Sequence, residues 1–314
     1  MKAWIQKHFS PSNILHLCLL AGLLLSACTP LAQPLENASS PPGGSAAPSA
    51  TPAATLPASE LPPVTQSSLE TVTFSEFGRT FSLAVDPALA QSVEPMTVEA
   101  VPANQEVIYS DTHPAFVQFT FLDYDGGRLA QLPYTSRTPR MMAFPTQDFQ
   151  EYGPDVPTGF PQQLEGLRGL LETRPDLAER CMQTRPVPGK LALPFLPWLN
   201  EAQVFCAKPQ YIEFSDGKGI RYVTAFSQGV APLVDPSIFY TFQGLSEDGE
   251  IYFSATFPVL TGIFPLETHP GVAGQQPQNM TLEQLNALNA QSEDLFQPAL
   301  GQLDALVKSM SVEN

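Results

Sequence analysis

Two histidines, His113 and His269, stand in the part of the chain expected to fold. Both precede proline, in Thr112-His113-Pro114 and Thr268-His269-Pro270. A following proline holds the preceding backbone extended, and nothing in the spacing brings the two imidazoles together. A histidine base needs a nucleophile within reach, yet the sequence has no Gly-x-Ser-x-Gly elbow and no Ser-x-x-Lys or catalytic-cysteine context. Two loop histidines are the plainer reading. Asp111, His113, Asp123 and Asp125 could supply metal ligands, but they flank one apolar strand and would lie some 20 to 30 Å apart at about 3.3 Å per residue. Asp123-Tyr124-Asp125-Gly126 opens like a calcium loop, but the later oxygen ligands and closing glutamate are missing, so a β-turn is enough. Glu247 and Asp248 read as solvated acids on a hairpin tip. No phosphate-cradling loop or dinucleotide fingerprint occurs, and no cofactor is expected. The remaining hint is aromatic: Tyr211, Tyr222, Tyr240 and Tyr252 share neighbouring strands with Phe226, Phe239, Phe242 and Phe253. Such a face could bind a ligand or partner, or form core against a C-terminal helix.

The most specific pattern lies at the start. Lys2, Lys7 and His8 make a basic leader. Ile14 to Leu25 is an apolar run containing His16, shorter than the roughly 20 residues a spanning helix needs. It ends in Leu25-Ser26-Ala27-Cys28. This order resembles the lipobox of bacterial lipoproteins. The resemblance implies that residues 1–27 are a signal peptide cleaved before Cys28. Its thiol would carry diacylglycerol and hold the chain on the extracytoplasmic face of a cell membrane or outer membrane. An ordinary secretory signal and an uncleaved anchor are the alternatives. Thr29 stands where some bacteria place the aspartate of inner-membrane retention.

Residues 28–68 read as a tether. Nine prolines fall between Thr29 and Ser68 among many Ala, Ser and Thr, with only Glu36 and Glu60 charged. Such a segment has too little apolar area to offset chain entropy and is expected to be disordered. Forty residues reach at most roughly 130 Å, and typically about 35 Å. A wall-associated stalk is the sharper reading and a plain spacer the simpler one.

With Cys18 in the leader and Cys28 lipidated, Cys181 and Cys206 remain. In an exported domain an even pair reads as a disulfide; two buried free thiols are the alternative. The bridge would enclose 24 intervening residues, including Pro186, Pro188, Pro194 and Pro197. Loop closure of that length contributes roughly 3 kcal/mol. Two cysteines without CxxC spacing do not make a zinc site.

Formal charge is −16; without Lys2 and Lys7, 31 acidic residues face 13 basic ones, leaving −18. That excess argues against nucleic acid and against docking on an anionic lipid surface. With 43% of residues hydrophobic and 15% charged, the composition is that of a globular domain with an uncharged polar surface.

Residues 69–314 read as a single α+β domain, an antiparallel sheet of about six to eight strands packed on one or both faces by helices that include a long C-terminal one. Strands are predicted at Thr71–Phe74, Thr80–Val85, Met96–Val101, Phe116–Leu122 and Arg140–Phe144. Leu164, Leu167, Leu170 and Leu171 predict a helix over Pro161–Glu172, broken by Arg174-Pro175, with a short turn at Asp176–Met182. Pro186 to Pro197 is expected to wrap the surface. Gln203–Phe214 and Ile220–Phe226 flank a turn centred on Asp216-Gly217, and Ile238–Leu245 and Glu250–Phe257 flank Ser246–Gly249. The last strand alternates apolar with half-polar residues, as where helices pack one side of a sheet. Thr281-Leu282-Glu283-Gln284 is a capping box. Pro298 suggests a second helix or kink near Phe296, with the leucine stripe running on through Met310.

Phe81 to Pro87 and Leu303 to Val312, a strand ending Phe-x-Leu-x-Val-Asp-Pro and a closing helix ending Val-Lys-Ser-Met-Ser-Val, resemble the PsbP/Mog1-like fold. The resemblance implies a small binding or assembly protein. The stretch from Glu151 to Trp198 departs from that pattern. The expectation is therefore a non-catalytic, tethered binding or assembly domain whose partner is an envelope protein or a glycan. An extracytoplasmic hydrolase without a recognisable motif is the alternative. A solute-binding component of an importer would want two lobes and more length.

Overall fold

The computed structural model describes residues 68–102, 111–132, 137–183, 191–228, 233–267 and 280–314. The leader, Cys28, the tether and His269 lie outside the described residues.

Strands β1 (Glu70–Glu76) and β2 (Arg79–Val85) form a hairpin. Its two turn residues, Phe77 (φ 54°) and Gly78 (φ 70°), are both left-handed, which matches the right-handed twist of the flanking strands. β3 (Ser92–Val98), β4 (Phe116–Leu122) and β5 (Arg140–Pro145) follow. β3 begins four residues before the predicted strand: Val93, Pro95 and Thr97 alternate at a sheet edge, where a proline's missing N–H costs nothing. Val101 is left making an isolated bridge with His113.

The middle of the chain holds α1 (Phe160–Thr173) and α2 (Leu177–Gln183). Pro161 sits in the first turn of α1, where its absent N–H has no partner to lose. Arg174 ends the helix in a left-handed conformation, its amide donating to the Leu170 carbonyl at 2.9 Å. Four long strands come next: β6 (Ala202–Phe214), β7 (Gly217–Ser227), β8 (Phe239–Ser246) and β9 (Ile251–Pro258). The β6–β7 turn is Ser215-Asp216 rather than Asp216-Gly217, because Phe214 pairs directly with Gly217. Gly217 and Gly219 lie inside the strand, where a Cβ would meet the Phe214 or Phe242 ring 2.3 to 2.5 Å away. They make room for rings; they do not form the turn.

β3 to β9 build one seven-stranded antiparallel sheet in the order β3-β4-β5-β9-β8-β7-β6. The C-terminal helical region is present but divided. α3 (Leu282–Ala290) opens on the capping box, with Thr281 Oγ1 accepting from the Gln284 amide at 3.1 Å. Pro298 then precedes α4 (Leu300–Lys308) and is not in its first turn. After α4 the chain extends into β10 (Ser311–Glu313), which pairs with β2 and completes a small sheet β1-β2-β10.

The large sheet is covered on both faces, the two-sided one of the expected arrangements. On one face Ile251, Phe253, Ala255 and Phe257 meet Phe81 and Leu83 of the hairpin and Leu303, Leu306 and Val307 of α4. On the other, Tyr222, Phe239 and Tyr252 meet Leu164, Leu167 and Leu170 of α1. The aromatic set is therefore core, split between the two faces: Tyr240, Phe242 and Phe253 on the first, Tyr222, Tyr252, Phe226 and Phe239 on the second, with Tyr211 half-buried beside the latter.

The proline segment is also corrected. Its first part, Pro186 to Lys190, lies outside the described residues; residues 191–197 do not wrap the surface, and Leu193, Pro194, Phe195 and Leu196 are buried on the sheet. Irregular buried backbone must find hydrogen-bond partners, and glutamine side chains provide them. Gln203 Oε1 accepts from the Ala192 amide (2.8 Å), Gln163 Oε1 from Phe195 (3.1 Å) and Gln243 Oε1 from Leu196 (2.9 Å). Gln243 is wholly buried and also bonds Tyr252 (2.8 Å), Thr241 (2.9 Å) and Ser254 (3.0 Å). Cys181 on α2 and Cys206 on β6 lie at disulfide distance, with Cα atoms 5.1 Å apart.

Two stability predictions follow from this packing. Replacing Gln243 by Leu keeps the size but strands the Leu196 N–H and the Tyr252 hydroxyl. Urea titration should show a loss of about 2 to 4 kcal/mol. Replacing Cys181 and Cys206 together by Ser should cost roughly 3 kcal/mol, read in the same titration, and thiol labelling of the unfolded non-reduced wild type should find neither cysteine free.

Candidate functional site

A cavity of about 350 Å³ opens at one end of the large sheet, between the end of β4 with its following turn, the Arg137–Pro139 segment, and the end of β9. Its size falls in the usual range for small-molecule sites, about 300 to 1,000 Å³. The walls are tied by two hydrogen bonds: the Phe121 amide to the Pro139 carbonyl at 3.0 Å, and the Tyr124 hydroxyl to the Pro258 carbonyl at 3.1 Å. Burial, with the nearby Asp125 charge, pushes the Tyr124 phenol well above its ordinary value, so it stays a neutral donor.

The turn on this wall is the Asp123–Gly127 segment. Asp123 (φ 47°), Asp125 (φ 52°), Gly126 (φ 62°) and Gly127 (φ 73°) are all left-handed. Glycine adopts this freely, but for aspartate it is strained backbone, and strain of this kind concentrates at functional turns. The Asp125 amide donates to the Leu89 carbonyl at 2.8 Å, and its carboxylate lies 3.8 Å from Arg128 Nε. Its Oδ2 is buried without a hydrogen bond among the described residues. Burial raises the Asp125 carboxyl above its ordinary value, with Arg128 opposing.

Two arginines stand behind the cavity. Arg137 lines it, pairs with Glu201, and lies with its guanidinium carbon 5.6 Å above the centre of the Phe239 ring. Arg140 is directly opposite Thr120 on β4 and Thr256 on β9. Arg140 Nη1 donates to Gln118 Oε1 (3.2 Å), and Gln118 Nε2 donates to Thr120 Oγ1 (3.0 Å). Burial, then the charge of Arg137, lowers the Arg140 guanidinium from its ordinary value.

The residues singled out by sequence do not converge. Asp111 and His113 lie before β4, while Asp123 and Asp125 follow it. His113 bridges Val101 through both backbone bonds, places Nδ1 3.0 Å from the Pro114 carbonyl, and sets its ring 5.1 Å from Phe116. Among the described residues, no three His, Cys, Asp or Glu side chains are grouped as metal ligands. Asp248 pairs with Arg79 at 2.8 Å. Burial pushes its carboxyl up, but Ser246, the Glu250 amide and Arg79 together outweigh this and hold it below the ordinary value.

Arg221 is the largest surprise. It is 1% exposed, on β7 beneath the C-terminal helices, where a sheet-centre position would normally be apolar. It bonds the Lys208 carbonyl and Gln210 Oε1, both at 2.6 Å, pairs with Glu293, and lies 3.3 Å from Asp304. Tyr240 donates to the same Asp304 oxygen at 3.0 Å. These contacts tie α4 and the turn before it to the sheet. The signal missed in sequence was charge embedded in an apolar strand, Gly219-Ile220-Arg221-Tyr222-Val223. For the cavity it was two arginines three positions apart in a chain poor in basic residues.

Asp125→Asn offers a check on the strained turn. A carboxyl raised in the folded state contributes stability below the unfolded carboxylate range and loses it as pH rises through the folded value. Wild type should therefore lose ground to the asparagine variant as pH rises above the ordinary carboxylate range, in paired urea titrations. Asparagine also tolerates the left-handed backbone better than most residues.

No known protein family matches this chain, and neither does any curated protein or solved structure.

Proposed function

We propose that the chain is a lipid-anchored extracytoplasmic binding domain, held on the outer face of a cell membrane or outer membrane through Cys28 and non-catalytic in action. The order of the leader carries the reading: a basic start, an apolar run, Leu25-Ser26-Ala27-Cys28, then a proline-rich spacer before the first strand at Glu70. A thiol at that position is the acceptor for the anchor, and the spacer gives the domain reach. Among the described residues no helix is long and apolar enough to cross a membrane. The binding role is supported by the cavity beside Arg137 and by the likeness of two stretches to the PsbP/Mog1-like group. Those stretches, Phe81–Pro87 and Leu303–Val312, include the residues that pair β2 with β10. The partner class is an envelope protein or glycan.

Metabolic labelling with palmitate, followed by membrane fractionation, tests the anchor. The wild-type chain should take label and sediment with membranes. Cys28→Ala should take none and retain its leader. Equal labelling of both chains would end the lipoprotein reading.

A further inference from the structure

The two sheets present four edge strands, β1, β10, β3 and β6, and three of them carry a feature that blocks further pairing. β3 has Pro95 at its middle, β6 shifts register before Phe205 and again after Ala207, and β10 is three residues long. Proline, bulges and shortness are the usual means of keeping an edge from taking up another strand. β1 has none of them. Its seven residues run in unbroken register with β2 and include no proline or lysine.

The turn sets which backbone groups of β1 are in use. Strands joined by a two-residue turn exchange both bonds at the flanking pair, here Glu76 and Arg79, and then at every second pair. Glu70, Val72, Phe74 and Glu76 therefore bond to β2. Ser309 fits this phase: its Oγ bonds the amide and the carbonyl of Ala84 at 3.0 and 3.1 Å, and Ala84 is the register partner of Thr71. The N–H and C=O groups of Thr71, Thr73 and Ser75 are left pointing out of the edge, and among the described residues no strand pairs there. Val72 and Phe74 pack on the core from this strand but are only half-buried.

The charge around this edge is acidic. The strands β1, β2, β3 and β10 carry Glu70, Glu76, Glu94 and Glu313 against Arg79. Arg79 faces Glu76 in the register but pairs with Asp248 and Glu250. Glu76 accepts from neutral donors, the Thr97 hydroxyl at 2.8 Å and the Phe77 amide at 3.2 Å. A second copy of β1 laid antiparallel about Thr73 would set Glu70 opposite Glu76 twice, and like charges directly opposed are destabilising. A strand with a basic residue at each of those positions is favoured instead.

We propose that β1 takes up an extended segment of another protein as an added antiparallel strand, basic opposite Glu70 and Glu76 and apolar opposite Val72 and Phe74. This rests on reading the domain as a binding module and names the chemistry of its partner.

The probe is a labelled peptide, Lys-Thr-Val-Thr-Val-Thr-Lys, titrated by fluorescence anisotropy against the full chain in detergent. It should bind roughly tenfold tighter than the same peptide with glutamate at both ends. N-methylation of its three threonines, whose amides meet β1, should abolish binding, while N-methylation of its two valines should not. Thr73→Pro costs no bond to β2, because that amide points outward, and it should abolish binding. Glu70→Lys with Glu76→Lys should reverse the preference towards the glutamate-ended peptide, a gain that a misfolded variant cannot produce. Thermal unfolding confirms that each variant folds. Amide exchange at Thr71, Thr73 and Ser75 should be fast in the free chain and slowed by the peptide. Slow exchange there without peptide means that the edge is already occupied by this chain, and overturns the proposal. So does sedimentation as a dimer that Thr73→Pro dissociates, which assigns the edge to a second copy. Equal affinity for the two peptides overturns the charge matching, and binding that survives threonine N-methylation overturns strand addition. No binding of either peptide overturns the edge as the docking site, while the anchor stands or falls on the Cys28 labelling.

Discussion

The amide of Gln243 is the interaction on which the arrangement of the sheet's second face depends. It sits at the middle of β8 with no access to solvent, and it presents an acceptor to the Leu196 amide and donors to Thr241 and Ser254. A polar stripe in the centre of a covered sheet can be tolerated only if every group on it is bonded. Here the covering segment has no regular structure, so the sheet's side chains supply the partners that a neighbouring strand would otherwise give. Gln203 of β6 does the same to one side, and Gln163 of α1 reaches the segment from the helix. Leu196 held in this way fixes the chain that leads to Glu201, and Glu201 in turn holds Arg137 at the cavity. The path from a core hydrogen bond to the candidate site is thus short.

A second theme is the use of scarce positive charge. The chain has 15 Lys and Arg against 31 Asp and Glu, and several of its arginines point inward. Arg221 is wholly buried, and the side chains of Arg79 and Arg137 are only 12% and 19% exposed. Each draws acidic groups to it. Arg221 gathers Glu293 and Asp304 from two parts of the C-terminal region, joining elements whose own leucine stripes do not specify where they dock. Removing one partner of such a cluster leaves a buried charge uncompensated, which makes the arrangement exacting. Arg140 differs: among the described residues its hydrogen-bond partner is the neutral side-chain amide of Gln118.

Much of the architecture was legible in local pattern. The paired apolar runs of β8 and β9 with Asp248-Gly249 between them, the leucines of α1, and the Thr281–Gln284 capping box all state their structure through near neighbours. Local pattern misled where a distant element decided the outcome. Gly217 and Gly219 look like turn residues, but they lie in the strand because Phe214 and Phe242 occupy the space a side chain would fill. The segment 191–197 looks like a surface loop because proline cannot join a ladder, and nothing local shows that three glutamines bury it. The candidate site was the least legible part. Histidines and aspartates drew notice by their chemistry, but β4 separates Asp111 and His113 from Asp123 and Asp125. The cavity is built instead from residues with no motif.

The sequence by itself determined the class of fold, the position of the strands and helices that repeat regularly, the pairing candidates Cys181 and Cys206, and the net acidity of the chain. These follow from periodicity, composition and count, which are properties of the chain read along its length. Only the tertiary structure decided that both faces of the sheet are covered, that the tyrosines divide between them, that Arg221 is interior, and that Arg137, Arg140 and Thr120 meet beside an open cavity. Those outcomes depend on contacts between residues tens to more than a hundred positions apart. Burial changes what a side chain costs and what it must bond, and burial is not written in any short stretch of sequence.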